Sequence, residues 1–292
     1  MKKLALLLCL CSFTLMLSAQ HRFGVRAGIN YSRFSGELEI NESYSFASGF
    51  HFGFNYTYQF TPVIGLRAEL LYLQKGTKRD FEDDNAFNVV IPISTPRFVE
   101  EGKVDFFINY SHTYFSIPIT AMIQVTPKLE LFGGVSVDMM FGPAGAGTMY
   151  FESTDRPDQI RYEIQYDHNY KKDQAGGLPN ALFSNPQFTS LIINGEAEDI
   201  VRIRGAYFDN TAAELQQLGK KFNFWNSSVI LGFNVFVNRG FYIGLRGELG
   251  LTDVTNDRMD FSLKELDGEN NLIPRADRDI TQNLSLSFGF RF

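Results

Sequence analysis

The chain reads as all-β: an eight-stranded antiparallel up-and-down transmembrane β-barrel with long extracellular loops. Three observations predict this. First, residues 46–60, FASGFHFGFNYTYQF, place aromatic side chains on seven of eight even positions. A period of two marks a strand with two unlike faces, and the other face here is Gly, Asn, Thr and His with no Lys or Glu. Such a face suits a cramped interior better than a solvated exterior, so the aromatics turn outward into lipid. Second, Lys2 and Lys3 precede an apolar run over 4–17 and then Ser18-Ala19. That is the plan of a secretory signal peptide over 1–19, cleaved after Ala19. Third, residues 20–292 contain no apolar stretch near the roughly 20 residues that a bilayer helix needs. The aromatic content is nevertheless 15%, at a mean hydropathy of −0.13.

Eight segments repeat the alternation. The first sets Phe23, Val25, Ala27, Ile29 and Tyr31 against Gly24, Arg26, Gly28, Asn30 and Ser32, and the second is the segment quoted above. The third sets Ile64, Leu66, Ala68, Leu70 and Tyr72 against Gly65, Arg67 and Glu69. The fourth sets Phe115, Ile117, Ile119, Ala121, Ile123 and Val125 against Tyr114, Ser116, Thr120 and Gln124. Its inner-face Pro118 marks a bulge or a local break in the ladder. The fifth alternates Leu129, Leu131, Val135, Val137, Met139 and Phe141 with Glu130, Gly134, Ser136 and Asp138. The sixth sets Val229, Leu231, Phe233, Val235 and Val237 against Ser228, Gly232 and Asn234. The seventh sets Phe241, Ile243, Leu245 and Leu249 against Gly244, Arg246, Glu248 and Gly250. The last sets Leu284, Leu286, Phe288, Phe290 and Phe292 against Asn283, Ser285, Ser287, Gly289 and Arg291. Each is about the 9–11 residues of a tilted membrane strand, and an even count is what single-chain outer-membrane barrels have.

Connections alternate in length. Strands two and three join at 60–62, four and five at 126–128, six and seven at 238–240. The other links, over 35–45, 77–105, 142–224 and 252–279, are long. Short turns on one side and long loops on the other place the termini and turns in the periplasm of an outer-membrane protein, and the terminal aromatic Phe292 is a further mark of barrel assembly. Residues 53–70 and 232–249 align without gaps at nine identities, a hairpin repeated in strands two–three and six–seven. Arg67 and Glu69 would then face Arg246 and Glu248 across the lumen. The inward charges are Arg26, Arg67, Arg246 and Arg291 against Glu69, Glu130, Asp138 and Glu248. Eight strands enclose only enough space for side chains, so these are expected to form a neutral structural plug.

The segments GVRAGINYSRF, GFHFGFNYTYQF, LRAELLYLQKGTK, FSIPITAMIQV and LFGGVSV, in this order, resemble the PorT-like outer-membrane β-barrel family of Bacteroidota. The resemblance covers most of 22–142 and then 225–292, and the insertion 142–224 departs from the compact members. It implies an eight-stranded barrel, and it raises an accessory role in a type IX-like protein secretion machine, where the family's namesake works. Fold alone does not fix that role.

Residues 20–292 are thus expected to form one barrel domain with 142–224 as a large extracellular loop insertion. Within it, alternation over Ile160, Tyr162, Ile164 and Tyr166 predicts a strand rising above the bilayer. Residues 190–194 and 200–203 predict a hairpin around Asn194-Gly195. Thr211-Ala-Ala-Glu214 predicts a capping box opening a short helix that ends near Gly219.

No catalytic, metal or cofactor motif emerges. Cys9 and Cys11 lie within the signal peptide, and Leu8 is too bulky for a lipoprotein site at Cys9. Of His21, His51, His112 and His168, only His112 beside Ser111, with Asp138 from another strand, resembles hydrolase chemistry. Adjacent strand residues point to opposite faces, which counts against it. The acidic run Glu82-Asp83-Asp84 lacks the ligand spacing of a Ca²⁺ loop. A net charge of −6 argues against nucleic acid. The expected partners are outer-membrane lipid, the barrel-assembly machinery during biogenesis, and an extracellular or secretion-machine protein. The expected function is a non-enzymatic surface-binding, scaffolding or structural membrane protein.

Overall fold

The computed structural model describes residues 20–94, 96–156, 160–176, 188–193, 195–256 and 260–292. The expected signal peptide 1–19 lies outside the described residues. In chain order the elements are β1 (His21–Ser35), β2 (Glu42–Gln59), β3 (Ile64–Val90), β4 (Phe98–Thr126), β5 (Leu129–Ser153), β6 (Arg161–Asn169), β7 (Phe188–Ile193) and β8 (Glu196–Val201). There follow β9 (Ile203–Arg204), a helix α1 (Ala212–Leu218), β10 (Trp225–Phe236), β11 (Phe241–Gly250), β12 (Phe261–Leu266), β13 (Leu272–Pro274) and β14 (Ile280–Arg291).

Eight of these close a ring of antiparallel pairs, β1–β2–β3–β4–β5–β10–β11–β14 and back to β1. They are the eight segments that alternation marks in the sequence. The faces divide as the alternation requires: Phe23, Phe54, Ile119, Leu231 and Phe288 are exposed on the outer wall, while Arg26, Asn30, Thr57, Glu130 and Asn234 are buried within. Closure removes every unpaired edge within the lipid zone, which is the condition for backbone to cross a bilayer as strand. Pro118 leaves the β4–β5 register unshifted, and the β3–β4 ladder has a local gap beside it.

The height of the wall departs from expectation. On β3 the outward series Ile64, Leu66, Ala68, Leu70 and Tyr72 gives way to Gln74, Lys78 and Asp80, while the strand continues unbroken to Val90. The expected loop 77–105 is therefore a hairpin, with β3 and β4 linked only by 91–97. Likewise β5 runs on to Ser153, and β6 adds to its upper half. The physical reason is a reversal of polarity at the lipid boundary. Below it the apolar face looks outward; above it water bathes the outer wall, and the apolar residues Phe81, Val104, Ile108 and Phe151 turn inward and are fully buried.

Those residues build two apolar clusters beyond the lipid zone. One, at the rim, joins Phe34, Tyr110, Tyr114, Tyr170, Tyr207 and Phe222. The higher one joins Phe81, Val104, Phe151, Ile164, Leu191 and Ile200. The strand expected near Ile160–Tyr166 is β6, and the expected hairpin is β7–β8 around Gly195, whose φ is +87°. Asn194 lies outside the described residues. The hairpin's second strand begins earlier than expected, and Ile203–Arg204 instead pairs in parallel with β6. Its Ile200 bridges Pro92, which ties it to the β3–β4 tip. The helix after Thr211 is α1, closed by Gly219 at φ +74°, the left-handed cap that glycine supplies.

Candidate functional site

Two regions concentrate polar chemistry: the lumen and the cavity above it. In the lumen the inward charges are stacked at three heights. Nearest the short turns, Glu130 accepts from Arg67 Nη2 at 2.5 Å, Arg291 Nη1 at 3.2 Å and Asn234 Nδ2 at 2.7 Å. One step up, Glu69 takes Arg26 at 2.9 Å from β1 and Arg246 from β11. Above that, the Lys75 ammonium joins Asp138, at 2.8 Å, to Glu248. The structure therefore brings all eight inward charges named from sequence into the lumen, and Glu69–Arg246 crosses between the opposite walls β3 and β11.

The expected four-against-four balance is corrected by Lys75, a fifth buried cation. It lies on the same odd-numbered face of β3 as Arg67 and Glu69, three residues beyond the last lipid-facing residue Tyr72. That continued parity was the signal that could have found it. Aromatic rings pack against these charges: the guanidinium groups of Arg67 and Arg246 each lie 5.9 Å from the Phe132 ring, and Arg291 lies 4.3 Å from Phe236. Gly232 makes room for Phe132, since a Cβ there would lie 2.5 Å from Phe132 Cζ. Terminal Phe292 is exposed, and its amide donates to Phe23 O at 2.8 Å, which pins the end of the chain to the first strand.

The histidines have no carboxylate partners among the described residues. His51 bonds Asn30 at 2.8 Å and Ser287 at 2.9 Å, His21 meets Tyr56, and His168 meets the Tyr170 hydroxyl at 2.8 Å. His112 is buried with both ring nitrogens unpartnered, its ring 4.3 Å from that of Phe222. Asp138, the carboxylate weighed for it in sequence, is held by Lys75 instead. The structure does not bring Ser111, His112 and Asp138 together.

Above the rim lies a cavity of about 130 Å³ lined by Arg79, Tyr110, Tyr166, His168, Arg204 and Lys221 among others. Burial pushes the Lys221 ammonium below its ordinary range and drives His168, beside Lys221, down to about 3. Both shifts record desolvation first; the Lys221 charge adds to that of His168, whereas Asp209 and Asp260 oppose that of Lys221.

Among solved structures, the chain is similar to the attachment invasion locus protein Ail of Yersinia pestis at 12% identity, covering 94% of this chain and 99% of that one with a TM-score of 0.33. It is similar to OprG of Pseudomonas aeruginosa at 11% identity, covering 93% and 95% with a TM-score of 0.33. Neisserial surface protein A shares 10% identity, with 92% and 95% covered and a TM-score of 0.30. The search of curated proteins found no match. Residues 18–256 match the model of the outer membrane protein beta-barrel domain, although the ring closes only with β14 beyond that match. The chain belongs to the outer membrane protein beta-barrel domain family.

Proposed function

We propose that this outer-membrane barrel is a non-enzymatic surface protein whose lumen is closed by its own side chains and whose long-loop half binds or scaffolds an extracellular partner. The observation that carries the reading is the division of labour along the barrel axis. The lipid-zone lumen carries paired charges and rings, whereas β3, β4, β5 and β6 continue past the lipid into an ordered body with its own apolar clusters. Ordering so much backbone outside the membrane costs conformational entropy, and recognition is what such a platform offers in return. In this reading residues 1–19 are removed as a signal peptide, and the termini and short turns face the periplasm.

A second reading is an accessory role in a type IX-like secretion machine, favoured by the five ordered segments that resemble the PorT-like family of Bacteroidota. One experiment separates them. Cells carrying the wild-type chain, or a variant with the long insertion removed at the rim, are cross-linked at the surface, and the captured partners and cargo export are compared. Loss of a specific surface partner with export intact supports the first reading. Failure of export in the full deletion, rescued by the shortened chain, supports the second.

A further inference from the structure

Three carboxylates that are distant in sequence from the membrane strands' charges converge at the rim. Asp260 precedes β12, and Asp277 and Asp279 precede β14, and one carboxylate oxygen from each lies within 4.8 Å of the others. Asp260 and Asp279 are 0% exposed, and the Asp277 side chain is 3% exposed. Neither oxygen of Asp260 has a hydrogen-bond partner, nor has Oδ1 of Asp277 or Oδ1 of Asp279. Their other oxygens are engaged outward: Asp279 Oδ2 accepts from Tyr44 at 3.5 Å and Thr255 at 3.3 Å, and Asp277 Oδ2 meets Arg275 at 3.3 Å.

The nearby cations offset this group only in part: Arg275 meets Asp277 Oδ2 at 3.3 Å, and the Arg79 charge acts on Asp260 and Asp279. Arg79 and Arg275 both converge on Glu42, at 2.5 and 2.7 Å, and Asp253 Oδ1 is taken by the amides of Thr255 and Asp279. Five carboxylates, Glu42, Asp253, Asp260, Asp277 and Asp279, therefore face two guanidinium groups. Fully buried like charges with unfilled lone pairs are costly, and an all-oxygen set suits a hard divalent cation rather than a thiolate- or imidazole-seeking metal.

We propose that Asp260, Asp277 and Asp279 form a Ca²⁺ site that clamps the 251–279 loop to the start of β2. The clamp's anchor is the Tyr44 and Glu42 end of β2, which reaches the cluster through Asp279 and Arg275. Water and backbone carbonyls supply the remaining ligands of the six to eight that Ca²⁺ takes.

The test uses the full folded chain in detergent, stripped with EDTA. Tb³⁺ added to it gives luminescence sensitised by neighbouring Tyr44, and Ca²⁺ displaces it. Ca²⁺ also slows limited proteolysis within 251–279. Asp260→Asn and Asp277→Asn each weaken the apparent affinity by roughly tenfold or more, while heat-modifiability on gels shows the barrel still folded. Folded wild type that gives no sensitised luminescence and is cleaved at the same rate in Ca²⁺ and EDTA overturns the proposal. Unchanged affinity in both folded variants overturns it equally.

Discussion

At the scale of single residues, the lumen's charges are shared: Glu130 takes Arg67 and Arg291, Glu69 takes Arg26 and Arg246, and Lys75 joins Asp138 to Glu248. Glu69 is the sharpest case, because its removal orphans Arg26 and Arg246 together. Breaking a buried pair on one side typically costs about 3–5 kcal/mol. Glu69→Gln is therefore expected to lower the urea midpoint of the detergent-folded barrel markedly, whereas loss of exposed Lys103, which meets Asp84 at 2.8 Å, changes it little. Face assignment has an equally direct check. Ile119 lies mid-way along the outward series of β4, and Arg at such a position costs about 2–4 kcal/mol. Ile119→Arg should reduce the folded fraction in a heat-modifiability gel, and Thr120→Ser, on the buried inner face, should not. Gly65 is an unsuitable control despite facing inward, because a Cβ there would lie 2.8 Å from Tyr58 O. His168 carries a pH dependence. Its folded pKa, about 3, lies below the ordinary 6.5, so burial favours the neutral ring. That stability is fully present above about pH 6.5 and is lost as pH falls toward 3. Lys221, Tyr166, Tyr170 and Arg204 are the groups around it. Protection factors of β6 amides, which correct for the intrinsic slowing of exchange in acid, should fall as pH drops from about 6.5 toward 4, and His168→Gln should flatten that fall.

At the scale of elements, the insertion is less a loop than a continuation of the wall. Residue 153 lies about twelve residues beyond the lipid-facing Phe141, roughly 40 Å along an extended strand. A clean excision must cut at the rim, removing 142–223, because Met140 N donates to Phe224 O at 2.8 Å and Trp225 pairs with Met139 there. The shortened chain is expected to insert and remain heat-modifiable, since the lipid-zone ladder is intact. It also strips the cover from Phe81, Val104 and Ile108, so its upper half should bind a hydrophobic dye and be cut by protease faster than wild type. The eight membrane strands, β6, the β7–β8 hairpin and α1 were legible in sequence because each carries a local signature. The extensions of β3 and β4 were not. Lys78, Asp80 and Glu82 look like loop residues when the expected outward face is greasy, and only the knowledge of where lipid ends shows that they are the wet face of the same strand.

At the scale of the whole molecule, the barrel divides into a membrane half with a charged interior and an apolar-cored half beyond it. If the paired charges from Glu130 to Lys75 close the lumen as proposed, purified protein in planar bilayers is expected to pass little or no steady current. Stable, large conductance from wild type would show that the network leaves a continuous aqueous path and would move the reading toward a porin.

Alternation and connector lengths, both local, determined the class, the strand count, the face of each residue and the repeated hairpin. What the chain's own order could not convey is height and azimuth around a closed ring. Register between neighbours accumulates around eight strands, and only closure decides that Lys75 meets Glu248, or that Glu69 rather than Glu248 receives Arg246. The same holds for Asp260, Asp277 and Asp279, which stand in an unremarkable acidic loop until β1, β2 and β14 bring Tyr44 and Glu42 beside them. Parity along a strand is fixed by backbone geometry two residues at a time, whereas a buried charge is matched to its partner by the three-dimensional packing of walls that sequence separates.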